Sequence, residues 1–167
     1  MAIIGGTMKI NDAGLRLIKE FEGFRSKPYK LAGEKFFTVG YGHYGPDVNG
    51  SRIYSLEECN ELLEKDLKWF ENKVSEYDED YHFNSNEFSA LVSFAYNIGS
   101  IDGLTNWGKR SRAEIRAKIP QYCQDSLGHI LEGLHRRRLA ELKLFNTPVD
   151  VDDNDKWLYD SLAELNL

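Results

Sequence analysis

The chain has 167 residues, of which 41% are apolar and 29% charged, and this suffices for the core of one globular domain. A formal net charge of −6 argues against a dedicated nucleic-acid binder, because basic surfaces bind phosphate backbones. The two cysteines, Cys59 and Cys123, lack the spacing of a zinc site or a disulfide framework. We therefore expect no metal, no cofactor and no nucleic-acid partner.

The ends of the chain differ in character from its middle. Residues 1–7 lack the basic region of a signal peptide, so we interpret them as an extension of a protein made in the cytoplasm. No apolar run approaches the roughly 20 residues that span a bilayer, and we expect no stable membrane insertion. The sequence predicts a folded domain at 8–146 and an acidic tail at 147–167, with Trp157 and Leu162 at the spacing of a docked helix.

The first predicted helix follows a capping residue at position 11 or 12 and ends at Gly23, a residue typical of helix C-termini. Leu15, Ile18 and Glu22 fall on one face of this helix. Glu22 is thereby placed in the last turn, on the buried side. Partial burial and the negative end of the helix dipole both favour the protonated carboxyl, which suits a general acid.

The segment from Phe36 to Tyr41 alternates as a strand does, with Thr38 on the face opposite to Val39. Glycine-rich turns flank it, so we predict a small hairpin or three-stranded meander from about 35 to 53. No other part of the sequence predicts β structure convincingly.

The rest of the domain has the pattern of helices. Ser55 and Asn84 open capping boxes, followed by helices that end near Val74 and at Ile98. A loop at 101–107, a helix at 112–118 and a last helix from 130 or 132 to 145 complete the domain. This order predicts an α+β, mostly helical fold in two lobes, with a cleft between the sheet and the helices.

Four motifs occur in a suggestive order. They are Glu22-Gly23 with Tyr29-Lys30 and Thr38-Val39-Gly40-Tyr41-Gly42-His43, then residues 55–66, then residues 90–99, then Gly133-Leu134 with Arg137, Arg138 and Glu141. Over residues 8–145 the chain resembles phage-type lysozymes, or endolysins, of glycoside hydrolase family 24. The resemblance implies a two-lobed lysozyme-like fold with a small antiparallel β-hairpin lobe. It also implies hydrolysis of the β-1,4 bond between N-acetylmuramic acid and N-acetylglucosamine in bacterial peptidoglycan.

The catalytic residues follow the family pattern with one departure. Glu22 matches the proton donor and Thr38 the residue opposite to it, but Leu31 replaces the family's second acid. Asp47 or Glu34 could supply a carboxylate instead, or none acts. In the last case Thr38 positions water, or a hydroxyl of the substrate attacks, which would give a lytic transglycosylase that uses Glu22 alone.

Four further residues are candidates for binding the substrate. Asn97 ends the central helix as a possible sugar-contacting amide, and Tyr122 is a possible aromatic platform. Arg137 and Arg138 complete this set, since the resemblance implies that one of them packs near Glu22 and orients it.

The remaining expectations concern the setting of the enzyme. The resemblance implies that His43 pairs with Asp66, and no histidine has the spacing of a metal site. We expect a monomeric, bacteriolytic phage or prophage hydrolase that reaches the wall after holin-like export or lysis. The alternative from another class is a catalytically dead peptidoglycan-binding or virion domain with the same fold.

Overall fold

Seven α-helices, a short 3-10 helix and three strands make up residues 8–149, the part of the chain that the computed structural model describes. The helices are α1 (Asp12–Glu22), α2 (Leu56–Ser75), α3 (Asp78–Tyr81), α4 (Ser85–Ile98), α5 (Asp102–Thr105), α6 (Arg112–Lys118) and α7 (Glu132–Phe145), and the 3-10 helix is Ile119–Gln121. The strands are β1 (Arg25–Tyr29), β2 (Phe37–Gly40) and β3 (His43–Gly45).

Helix α4 is the centre of the fold. Its capping box forms as predicted, with the side chain of Asn84 accepting from the Glu87 amide at 2.8 Å and Glu87 Oε1 accepting from the Asn84 amide at 3.1 Å. Residues 87–95 are all buried, and helices α1, α2 and α7 pack against them. The helices that carry the candidate site are therefore anchored on one core.

Helix α1 is seated on α4 through its N-terminus. Asn11 caps α1 by accepting from the Gly14 amide at 3.0 Å, and its own amide donates to Ser89 Oγ at 2.9 Å. A Cβ at Gly14 would lie 2.8 Å from that of Ser89, so only glycine permits the approach. The helix ends at Glu22, and the Gly23 amide donates to the carbonyl of Lys19. This seat fixes where Glu22 emerges.

The three strands form one antiparallel sheet in the order β1-β2-β3. Thr38 pairs with Tyr29 on one side and with Tyr44 on the other. The predicted meander is confirmed in kind but wrong in extent, because it starts at Arg25 and ends at Gly45. The strand β1 is an edge strand with charged residues and Pro28, so it lacks the alternation that identifies a half-buried strand.

Other differences are small. The predicted loop at 101–107 contains α5, and α3 lies between α2 and α4, where no helix was predicted. Four residues are too few to show a helical period, which explains why the sequence did not predict them. The mostly helical α+β architecture is confirmed. The predicted extension at 1–7 and nearly all of the predicted tail lie outside the described residues. No helix of residues 8–149 has the length and apolarity needed to cross a bilayer.

Candidate active site

The last turn of α1 meets α7 through an ion pair. Glu22 Oε1 accepts from Arg137 Nη1 at 2.6 Å, across 115 residues of sequence. The side chain of Arg137 is only 4% exposed, whereas that of Glu22 is 24% exposed. Arg137 is thus a fixed wall of the site, and the carboxyl of Glu22 stays accessible beside it.

Arg137 is held in turn by a buried carboxylate. Glu141 is fully buried, and its Oε1 accepts from Arg137 Nε at 3.2 Å, from Arg138 Nη2 at 3.1 Å and from Ser93 Oγ at 2.8 Å. The carbonyl of Ser93 accepts a further bond from Arg137 Nη2. This network fixes the guanidinium, which leaves Nη1 directed at Glu22.

The same network orients an amide at the end of α4. Arg138 Nη2 donates to Asn97 Oδ1 at 2.7 Å. A guanidinium only donates hydrogen bonds, so the oxygen of Asn97 must face Arg138. The amide nitrogen of Asn97 therefore points away from Arg138 as a hydrogen-bond donor.

Two cavities meet at this point. One, of about 400 Å³, lies between the sheet and the helices and is lined by Glu22, Gly42, Tyr44, Asp66, Phe70, Tyr96 and Asn97. The other, of about 580 Å³, runs along α7 and is lined by Phe21, Glu22, Asn97, Leu131, Leu134 and Arg137, among others. Both share Glu22 and Asn97, so these side chains stand where the two cavities adjoin.

The wall opposite α1 is built by a tight turn. Gly42 has a φ of 92°, and a Cβ there would lie 3.5 Å from Glu22 Oε2. Tyr96 donates its hydroxyl proton to the carbonyl of Tyr41 at 3.0 Å, which ties α4 to this turn. Burial, reinforced by the negative charges of Glu22 and Asp66, raises the pKa of Tyr96. Tyr96 therefore stays neutral and links α4 to the turn at Gly42 through its hydroxyl group.

A histidine between two aspartates supports the sheet side of the first cavity. His43 Nδ1 bonds to Asp66 Oδ2 at 2.8 Å, and Nε2 bonds to Asp47 Oδ2 at 2.9 Å. Burial alone would lower the pKa of His43, but the hydrogen bonds to Asp66 and Asp47 outweigh it and raise the pKa above 6.5. Burial alone would raise the pKa of Asp47, but the hydrogen bond to His43 outweighs this effect and lowers the pKa below 3.8.

Comparison with known proteins assigns the chain to a family. The sequence matches the Phage lysozyme family over residues 19–141. The chain belongs to the phage lysozyme family. The resemblance inferred from the four motifs is thereby confirmed.

Individual relatives agree with this placement. The chain is 41% identical over 151 residues to the endolysin of Lactococcus phage c2. The aligned region includes 88% of this chain but only 64% of that endolysin, so the chain spans less than two thirds of that relative's length. It is similar in structure to the muramidase domain of SpmX from Asticaccaulis excentricus, with 30% identity, a TM-score of 0.70 and coverage of 84% of this chain and 99% of that one. The active form of P1 phage endolysin Lyz shares the fold at 24% identity and a TM-score of 0.70, and the match covers 84% of this chain and 86% of that one.

The other catalytic candidates of this phage lysozyme family member lie in the sheet lobe. Thr38 is 8% exposed, and its side chain lies on the same face of the sheet as that of Tyr44, because directly paired residues share a face. Leu31 is 61% exposed in a turn where its amide donates to Glu34 Oε2 at 2.9 Å. None of Thr38, Glu34 and Asp47 lines either of the two cavities that contain Glu22.

Two of the predicted substrate-binding residues, Arg138 and Tyr122, do not line either cavity at Glu22. Arg138 is fully buried, so it reaches a ligand only through Asn97. The ring of Tyr122 packs edge-on against Phe94, with centroids 5.0 Å apart, and lines neither of the two cavities at Glu22. Residues 8–149 contain no group of three His, Cys, Asp or Glu side chains that could hold a metal ion.

The sequence did not predict all the contacts of two carboxylates, Asp66 and Glu141. Asp66 was expected only as the partner of His43, yet it also lines the first cavity. Glu141 was noted only as part of a motif, yet it anchors both arginines. No local signal identifies either role, because each depends on contacts made across the fold.

The pairing of His43 predicts a pH-dependent stability. Because the pKa of His43 is higher in the folded protein than in the unfolded chain, protonation of His43 stabilises the fold. This stabilisation is complete below the pKa of the unfolded chain, about 6.5, and is lost as the pH rises through the pKa of the folded protein. Asp66→Asn should therefore lower the free energy of unfolding by about 1.5–3 kcal/mol near pH 6, the size of a bond between charged groups. Urea unfolding from pH 6 to 9 should show this difference shrinking with pH, and a difference that stays constant would contradict it.

Proposed function

We propose that this chain is a muramidase that hydrolyses the β-1,4 bond between N-acetylmuramic acid and N-acetylglucosamine in peptidoglycan. The single observation that carries the proposal is the position of Glu22, a partly exposed carboxyl at the junction of two cavities, with a buried arginine behind it. Open space on both sides of an acid suits cleavage within a polymer rather than at its end. The similarity to a phage endolysin and to a muramidase domain supports the same activity.

In this proposal Glu22 donates its proton to the glycosidic oxygen as the bond to the anomeric carbon breaks. The proton lost leaves a carboxylate, and Arg137 Nη1 at 2.6 Å stabilises that charge. Glu141 serves this step indirectly, because it holds Arg137 in place.

The group opposite to Glu22 stays a prediction. Thr38 faces the same side of the sheet as Tyr44, which lines the cavity, although Thr38 itself does not line it. Asp47 and Glu34 remain predicted alternatives, although each directs its carboxylate at a partner in its own lobe, His43 and the Leu31 amide. A scheme in which water is held by Thr38 needs no second carboxylate.

Asn97 supplies a hydrogen-bond donor to the substrate in this proposal. Its amide nitrogen is turned away from Arg138, and its side chain lines both cavities. The carbonyl oxygen of a sugar N-acetyl group is the acceptor that such a donor fits. Asp66, whose Oδ2 is engaged by His43, offers acceptor capacity to sugar hydroxyls on the other side.

The variant Asn97→Asp tests this role. Aspartate still accepts from Arg138 but presents an oxygen in place of the amide nitrogen, so kcat/KM on peptidoglycan should fall about tenfold, the value of one hydrogen bond. Asn97→Ser, which leaves room for a bridging water, should lose less. Equal kcat/KM for Asn97→Asp and the wild type would show that the amide donates nothing to the substrate.

Release of soluble fragments from purified peptidoglycan tests the activity itself. The muramidase proposal predicts a continuous rise in new reducing ends as the suspension clears. Fragments without new reducing ends would instead indicate the transglycosylase, and sedimentation of the protein with intact walls without clearing would indicate the binding domain. Comparison of the three outcomes in one preparation separates enzymes from a wall-binding module.

A further inference from the structure

The sheet lobe carries a basic segment on an acidic protein. Residues 24–35 contain Arg25, Lys27, Lys30 and Lys35 against a single acid, Glu34, although the whole chain has a net charge of −6. All four basic side chains belong to exposed residues. Positive charge is therefore concentrated beside the edge strand β1, and the rest of the chain is more acidic than the total indicates.

These four cations are available to an external anion. None of them forms an ion pair with a carboxylate within the described part of the chain. Glu34, the one acid among them, is bound to the Leu31 amide. By contrast, Arg112 of the helical lobe pairs with Glu87, and Arg110 of that lobe donates to backbone carbonyls.

Aromatic rings orient three of the four cations. Arg25 lies 4.9 Å from the ring centre of Tyr29, Lys30 lies 5.7 Å from that of Phe37, and Lys35 lies 5.1 Å from that of Phe36, the last two distances being measured from Nζ. Such contacts order a long side chain without neutralising its charge. An anion that binds them therefore meets groups that have already lost part of their side-chain entropy.

A groove follows the same strand. It has a volume of about 420 Å³ and is lined by residues 24–29, with Phe24, Arg25, Lys27 and Tyr29 among them. Arg25 and Lys27 are both exposed and both line this groove, so it holds two positive charges. We will call this feature, with Lys30 and Lys35 at its end, the β1 groove. It starts two residues after Glu22.

We propose that the β1 groove binds an anionic wall polymer whose charge comes from repeated phosphodiesters. A row of separate cations matches an anion that recurs along a chain, and guanidinium and ammonium groups are the usual partners of phosphate oxygens. Aromatic side chains in the groove provide apolar surface for the polyol or sugar between phosphates. Binding there holds the protein on the wall with Glu22 close to the glycan. This inference relies on the proposed function only for the identity of the target, a bacterial wall.

Binding of a catalytically silent protein isolates this role. The background is Glu22→Gln, so that walls stay intact, and the test variant adds R25Q, K27Q, K30Q and K35Q. A matched control adds Lys68→Gln, Lys109→Gln, Arg116→Gln and Lys143→Gln, three lysines and one arginine that are also exposed and lie outside the sheet. Each protein is titrated onto Gram-positive walls, either native or stripped of phosphodiester polymers with hydrofluoric acid, at about 50 and 200 mM salt.

The proposal predicts that the test variant binds native walls about tenfold more weakly than the background and that the control does not. The difference should shrink at the higher salt and vanish on stripped walls, because it depends on phosphate charge. An equal loss on native and stripped walls would assign the groove to peptidoglycan carboxylates and overturn the proposal. Equal binding by the test variant and the background on native walls would also overturn it. Neither result bears on cleavage, which is measured separately with intact Glu22.

Discussion

Glu22→Gln is expected to reduce the rate of peptidoglycan cleavage by about 10²- to 10⁴-fold, the range that loss of a general acid produces. Glutamine has the shape of glutamate, and its carbonyl oxygen can still accept from Arg137 Nη1. The fold and the cavities should therefore persist while the transferable proton is lost. The measurement is the initial rate of reducing-end release at matched protein concentration, with the unfolding temperature as evidence of folding.

The matched control for this variant lies on the same helix. Asp12→Asn removes a carboxylate at the opposite end of α1, where the residue is exposed and lines neither cavity. It should leave the rate within about twofold of the wild type, since surface substitutions of this kind change stability by about 0.5 kcal/mol or less. A folded Glu22→Gln protein with wild-type rate would remove Glu22 from the mechanism.

The second large effect concerns stability. Glu141→Gln should lower the free energy of unfolding by about 3–5 kcal/mol, because it leaves two buried arginines without their shared carboxylate. The hydrogen bond from Ser93 Oγ to Glu141 Oε1 would also be perturbed. Urea unfolding at pH 7 measures the loss, and the exposed Glu61→Gln on α2 is the control, with an expected change within about 0.5 kcal/mol.

Glu141→Gln should affect activity as well. Without its anchor, Arg137 is free to move away from Glu22, so the variant should cleave peptidoglycan more slowly even below its unfolding transition. Its kcat should fall more than its KM rises, because Glu141 touches no substrate and acts through Arg137. A loss of less than 1 kcal/mol in unfolding would mean that the buried network contributes little to the fold.

Much of this fold could be predicted from local sequence. Asn11, Ser55 and Asn84 cap helices where the sequence placed caps, because capping depends on neighbours within one turn. Helix α4 was clear because its apolar run is long. The strand β1 was missed because an edge strand need not alternate, and α3 and α5 were missed because they are single turns.

The site was predictable only in part, for a physical reason. The place of Glu22 at the end of α1 could be predicted because the end of a helix depends on neighbouring residues, whereas its catalytic role stays a prediction. The orientation of Asn97 depends on Arg138, 41 residues away, and the seat of Arg137 depends on Ser93 and Glu141 together. Such contacts arise from the packing of α1, α4 and α7, which no local pattern encodes. The family resemblance supplied the residues, and the structure supplied their partners.

Digestion of peptidoglycan in water enriched in heavy oxygen tests the central claim most directly. Hydrolysis breaks the bond between the anomeric carbon and the glycosidic oxygen, and the oxygen of water becomes the new anomeric hydroxyl. Mass spectrometry should therefore find one heavy oxygen on each new reducing N-acetylmuramic acid, after correction with a control in which heavy water is added only once digestion has stopped. Products that end in 1,6-anhydro-N-acetylmuramic acid without heavy oxygen would contradict the claim, because the substrate's own hydroxyl would then have replaced water.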